Sequence, residues 1–281
     1  MKQPRPLIII GAARSGTKFL RDTLAASSRA RAIPYDIAYV WRCGNESWPD
    51  DALPTAQCSD KVRQYIRDFV FDVGGGSDVV IEKTVANSLR VPFVAEVFPE
   101  AKFVHLIRDG RDVVESAYRQ WQSPVNWRYT LKKARQFPLR NFRYAFWYVK
   151  NLFAGSTKRR GGQVWGPRYP GIDDDVRDKE LIEVCASQWV ACVSAAAQDL
   201  QALAPDKFMT IRYEDLVHDE RVLAELCHFA DIDDVDTVLE EMQQSVLPDT
   251  IGKWQTGLDD PLVEKMMPII AATLRKHGYT D

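Results

Sequence analysis

The sequence has little with which to bind a metal or close disulfides. Its five cysteines, Cys43, Cys58, Cys185, Cys192 and Cys227, form no Cys-x-x-Cys pair. Their odd count argues against a complete disulfide framework and fits a reducing, cytoplasmic setting. Four histidines are present. His218 and His228 stand alone, and Cys185 and Cys192 lack ligand spacing, so no structural metal is expected. The opening stretch from Met1 to Gly16 contains only the short apolar run Leu7 to Ile10. That run is too short for a membrane span, and the stretch lacks the form of a secretory signal. An excess of one charge is also missing: 37 basic residues face 39 acidic ones, a formal net charge of −2. Without a concentrated basic face, nucleic acid is not an expected partner, and any anion must be held by a local site. There is no internal repeat and no low-complexity tract.

What is present suits a single α/β domain covering residues 1–281. With 281 residues and 46% hydrophobic composition, the chain can bury a sizeable core. Leu7 to Ile10 is apolar without alternation, as a parallel strand covered on both faces requires. A glycine-containing loop follows, then a helix in which Leu20, Thr23, Leu24 and Ser27 share one face and Arg21 and Asp22 are left for water. Further strands are expected at Val79 to Ile81, Phe103 to Ile107 and Phe208 to Ile211. Helical faces are expected over Val91 to Phe98, Gly110 to Trp121 and Lys179 to Leu203. This alternation predicts a doubly wound parallel sheet with helices on both faces. Between residues 122 and 176 it stops, and aromatics from Trp127 to Tyr169 crowd together. That stretch reads as an insertion suited to acceptor binding, with a loop over Lys158 to Asp175.

Gly11 to Lys18 lies between the first strand and its helix, where free N–H groups and the positive helix end suit an anion. A Walker A loop has Lys followed by Ser or Thr after its last glycine, the hydroxyl serving Mg²⁺. Here Gly16 is followed by Thr17 and then Lys18. One step along a helix turns a side chain by roughly 100°, away from the direction of a P-loop lysine.

The run Arg14-Ser15-Gly16-Thr17-Lys18-Phe19-Leu20 resembles the 5′-phosphosulfate loop of sulfotransferases that use 3′-phosphoadenosine 5′-phosphosulfate (PAPS). Phe103 to Ser116 resembles that family's 3′-phosphate strand and helix, with Arg108 and Ser116 in the two binding positions. Glu82-Lys83-Thr84 is similar to the Glu-Lys-Thr-Pro segment of carbohydrate- and tyrosine-directed members, with Val85 in place of proline. Arg212-Tyr213-Glu214-Asp215-Leu216 is similar to the segment whose tyrosine lies near the adenine. Ile251-Gly252-Lys253-Trp254 resembles the late stretch that closes over the cofactor phosphate. The resemblance, closest to bacterial-type and glycan- or tyrosine-directed members, implies a P-loop-like sulfotransferase fold. It also implies PAPS as donor, its bisphosphate (PAP) as product, and no obligatory metal. The cofactor-binding residues it implies are Arg14, Ser15, Gly16, Thr17, Lys18, Phe19, Arg108, Ser116, Tyr213, Lys253 and Trp254.

In such a transfer the protein positions reactants and stabilises developing charge, roles that fall to Arg14 and Lys83. The acceptor hydroxyl needs a base within reach. Asp36 follows the first helix where related enzymes place a catalytic Glu, although after Pro34 it equally suits a turn or cap. Glu82 is the second candidate; it also suits a structural carboxylate. His105, inside an apolar strand, suits the core better than catalysis. The acceptor is expected to be a carbohydrate or small metabolite, with lipid headgroups and peptide tyrosine left open. A P-loop kinase and a non-catalytic nucleotide-binding domain are the alternatives. Oligomeric state is not legible.

Overall fold

A computed structural model of the chain describes residues 3–123, 164–246 and 250–280. Strands β1 (Arg5–Ile10), β2 (Ala30–Ala32), β3 (Val79–Glu82), β4 (Lys102–Ile107) and β5 (Phe208–Arg212) form one sheet, ordered β2-β3-β1-β4-β5. Every pairing is parallel; Ile8 lies opposite both Glu82 and Phe103. The side-chain period of two divides β1 between two cores. Ile8 and Ile10 join Val80 and Phe103 on one face, while Leu7 and Ile9 join Ile81, Val104 and Leu106 on the other.

The helices among the described residues are α1 (Thr17–Leu24), α2 (Ala38–Trp41), α3 (Asp60–Gly74), α4 (Val91–Val97), α5 (Gly110–Gln122) and α6 (Ile172–Asp178). They continue with α7 (Leu181–Leu200), α8 (Tyr213–His218), α9 (Glu220–Phe229), α10 (Val235–Ser245), α11 (Trp254–Gly257) and α12 (Asp260–Lys276). Helices α3 and α4 cover the first face, and α1, α9 and α10 the second. The architecture is the expected doubly wound α/β sheet. Helix α3, unassigned from sequence, buries Val62, Ile66 and Val70 at four-residue spacing and is capped by Ser59, whose hydroxyl accepts from the Val62 N–H at 3.4 Å.

A third cluster joins α5, α7 and α12 through Val113, Val114, Trp189, Cys192, Met266 and Ile270. Gly110 makes the α5–α7 approach possible, because a Cβ there would meet the Trp189 ring at 2.8 Å. By length and composition α7 is apolar enough to cross a membrane, yet half of it is buried in this core.

Two expectations need correction. Arg21 does not face water: it is buried, with Nε donating to Asp22 Oδ1 at 2.8 Å and a terminal nitrogen donating to the Ile33 carbonyl at 3.4 Å. Its long stem packs beneath the chain leaving β2, as amphipathic side chains do. The expected loop over Lys158 to Asp175 ends in a helix, α6, whose first turn carries Asp173, Asp174 and Asp175 against the positive helix end. Most of the proposed insertion lies outside the described residues.

A buried charged cluster fixes the chain between α2 and α3. Arg42, Asp51 and Arg90 are nearly solvent-free; Asp51 Oδ1 lies 3.1 Å from Arg42 and 3.6 Å from Arg90. The other Asp51 oxygen accepts from the Arg168 N–H at 2.8 Å, tying in the segment before α6. Removing one partner of a buried pair leaves the other charge uncompensated. Asp51→Asn is expected to lower unfolding free energy by about 3–5 kcal/mol, measured by urea titration at pH 7.

Candidate active site

The loops that follow β1, β3, β4 and β5 all leave the carboxyl edge of the sheet, where ligands bind in open α/β folds. After β1 the chain turns through Arg14, at φ 75°, and Gly16, at φ 89°. The left-handed region is costly for a residue with a Cβ, so Arg14 is a locally strained position. Gly16 has a second reason to be glycine, since a Cβ would lie 2.5 Å from the Tyr213 ring. Ser15 is fully buried, and its hydroxyl has no partner among the described residues. Thr17 is buried at the start of α1, and Phe19 meets the Tyr213 ring edge-on at 6.2 Å.

Arg14 Nε donates to Ser116 Oγ at 2.9 Å, which joins the first loop to the α5 helix across 102 residues of sequence. Arg108 follows β4 and lies over the Tyr213 ring, its guanidinium carbon 4.6 Å from the centroid. One Arg108 nitrogen donates to the Arg14 carbonyl at 3.4 Å and another to the Thr250 carbonyl. Its Nε is buried without a partner among the described residues. The Tyr213 and Thr250 hydroxyls are 3.0 Å apart. Loss of water and the nearby Arg119 and Arg108 cations push the Arg14 guanidinium below its ordinary value, the mark of an electropositive pocket.

The β3 end supplies a second group. Lys83 Nζ pairs with Asp36 Oδ1, and the Val85 N–H reaches the other Asp36 oxygen at 3.4 Å. Lys83 is nearly buried, whereas 29% of the Asp36 side chain is open to solvent. Glu82 is fully enclosed. Trp41 Nε1 donates to it at 3.1 Å, Thr84 Oγ1 at 2.5 Å and Asn87 Nδ2 at 3.0 Å. Thr84 Oγ1 also accepts from the Ile37 N–H at 3.0 Å, so the Glu82 network holds the backbone beside Asp36. Burial outweighs the donors from Thr84 and Trp41 and pushes the Glu82 carboxyl from 4.5 up to about 7.

Other sequence candidates stand apart. Lys18 points to solvent and pairs with Asp22 at 2.7 Å, leaving its backbone N–H as its contribution to the loop. His105 is buried within β4, pushed down to about 3 by burial and then by His277. Lys253 is exposed at the start of α11, and Trp254 lies beside Arg111, whose guanidinium carbon is 5.0 Å from its ring centroid. Sequence reasoning missed Arg119, Thr250 and Asp112. Asp112 is 1% exposed and accepts from the Gly252 and Trp254 N–H groups at 2.8 and 3.1 Å. The available signal was its place on the inward face of α5, one turn before Ser116.

A sequence profile described as the sulfotransferase family matches residues 41–152. The structure of a sulfotransferase domain from the curacin biosynthetic pathway aligns over 100% of this chain and 99% of that one, with a TM-score of 0.54 and 14% identity. Residues 41–152 thus match the sulfotransferase family, and the chain has the fold of a solved sulfotransferase domain. Mouse sulfotransferase SULT7A1, solved in complex with PAP, aligns over 98% of this chain and 85% of that one, with a TM-score of 0.50 and 11% identity. Protein-tyrosine sulfotransferase 1 of Danio rerio is 32% identical over 123 residues, covering 40% of this chain and 35% of that protein. The chain covers 26% and 35% of the lengths of the curated relatives it matches.

Glu82 generates a pH prediction. Its folded value lies above 4.5, so the folded state holds an extra proton between pH 4.5 and about 7. The contribution of Glu82 is therefore fully present below pH 4.5 and is lost as pH rises through about 7. Glu82→Gln should remove this dependence: stability of the variant relative to wild type should rise by about 3 kcal/mol across that window. Parallel denaturant titrations from pH 4 to pH 8 read the difference.

Proposed function

We propose that the protein transfers a sulfuryl group from PAPS to the hydroxyl of an acceptor, a carbohydrate or small metabolite by preference. The observation that carries this reading is the Arg14–Ser116 hydrogen bond, which joins the loop after β1 to α5 and so supports one shared anion site. The buried Ser15 hydroxyl and Arg108 Nε, both without partners among the described residues, fit an anionic ligand. PAP in a structural neighbour of the same fold supports the choice of nucleotide. Among acceptors, peptide tyrosine is the competing reading because of the match to a protein-tyrosine sulfotransferase. Five free cysteines, four of them buried, suit the reducing cytoplasm we propose for it.

PAPS, when bound, supplies a sulfuryl group on a phosphate leaving group. The Gly16 to Lys18 N–H groups, the Ser15 hydroxyl and Arg14 would hold the 5′ end, and Arg108 and Ser116 the 3′-phosphate. Tyr213 and Trp254 would border the nucleotide, and Lys253 would reach its phosphate from the surface. Lys83 would balance charge developing at the leaving oxygen. Asp36, partly open to solvent, is better placed than the enclosed Glu82 to take the acceptor proton. Glu82 acts by holding the Asp36 and Lys83 backbone in place. The kinase alternative is weakened by Lys18, which turns outward to Asp22.

Calorimetry in EDTA should show adenosine 3′,5′-bisphosphate bound far more tightly than AMP or ATP; equal affinities would overturn the reading. Arg108→Ala should weaken the bisphosphate by about 1.5–3 kcal/mol with the fold intact, and Ser116→Ala by less. For the base, Asp36→Asn should keep nucleotide affinity and lower turnover roughly 10²-fold, read with radiolabelled PAPS and a cell extract as acceptor source. Full activity in that variant would remove Asp36 from the role.

A further inference from the structure

Arg108 is steered by groups from two distant parts of the chain. One of its terminal nitrogens donates to the Thr250 carbonyl and lies 3.6 Å from Asp112 Oδ2. That same oxygen accepts from the Gly252 N–H at 2.8 Å, and Asp112 Oδ1 accepts from the Trp254 N–H at 3.1 Å. The carboxylate is thus a buried junction at which a cation and two backbone donors meet. Around it, Gly252 takes φ 76°, in the left-handed region that favours glycine. Arg111 stacks on Trp254 from one side, and Tyr213 reaches Thr250 from the other.

We infer that Asp112 is a positioning residue for the 3′-phosphate: it sets the Arg108 guanidinium and the 250–254 segment as one unit, so that nucleotide selectivity depends on a group that never touches the nucleotide. A charged carboxylate is needed because it accepts from both N–H groups while also facing the guanidinium. An asparagine of the same shape can present only one acceptor oxygen, and its NH₂ group would confront either a backbone N–H or Arg108. The segment would lose one anchor, and Arg108 would lose its electrostatic guide. Contacts to the 5′ end come from the first loop, with which Asp112 makes no hydrogen bond among the described residues.

This inference rests on the nucleotide reading above, and its test separates the two. Calorimetry with adenosine 3′,5′-bisphosphate and with AMP is run on wild type and Asp112→Asn. The variant should bind the bisphosphate about 10-fold or more weakly while its AMP affinity stays within about 2-fold, so the ratio between the nucleotides collapses. A merely structural role would weaken both nucleotides together or neither, and either result overturns the inference. Equal affinities in the wild type overturn the nucleotide reading and this inference with it. If Asp112→Asn fails to fold, hydrogen exchange on wild type decides: the bisphosphate should slow exchange of the Gly252 and Trp254 amides about 10-fold more than AMP does, and equal protection rejects the coupling.

Discussion

Because the five strands run in one direction, the turns that follow β1, β3, β4 and β5 are all delivered to the same edge of the sheet. An antiparallel arrangement would send alternate turns to opposite ends and separate residues that here lie in hydrogen-bond contact. The crossover from β3 to β4 passes β1, placing the first loop between its two partners. Arg14 can then reach Ser116, and Tyr213 can slide beneath Gly16, where only a hydrogen atom leaves room for its ring.

That edge holds an unusual amount of charge near low-dielectric surroundings, and the fold compensates each group locally. Asp112 is met by two amides and Arg108, Asp51 by two arginines and an amide, and Asp36 by Lys83 and an amide. Glu82 is the exception: its three donors are neutral, and burial holds its proton more tightly than usual. Glu82 and Asp51 are also linked through Asn87, which donates to Glu82 and accepts from Arg90 Nε at 2.8 Å. The residues around Lys83 are therefore rigidly held by a polar network reaching into the core.

The first loop shows how strain and function coincide. Arg14 adopts a conformation that glycine would take more readily, yet its side chain is what bridges to α5. A glycine there would relax the backbone and abolish the bridge.

Periodicity and motif order were enough to read the β1–loop–α1 unit, the β4–α5 unit and the parallel α/β class. Each depends on neighbours in sequence: apolar runs mark covered strands, and glycine at a strand end marks a turn. Contacts between distant segments could not be read in this way. Arg21 is polar in a helical pattern but buried beneath the chain after β2. Asp36 stood ahead of Glu82 for one role only by its position after the first helix; the packing adds that the first is partly open and the second enclosed. Asp112 acquires its two amide partners only where residues 250–254 are brought against it. Burial and partnership are properties of the three-dimensional assembly, and a carboxylate's chemistry follows from them more than from its place in the chain.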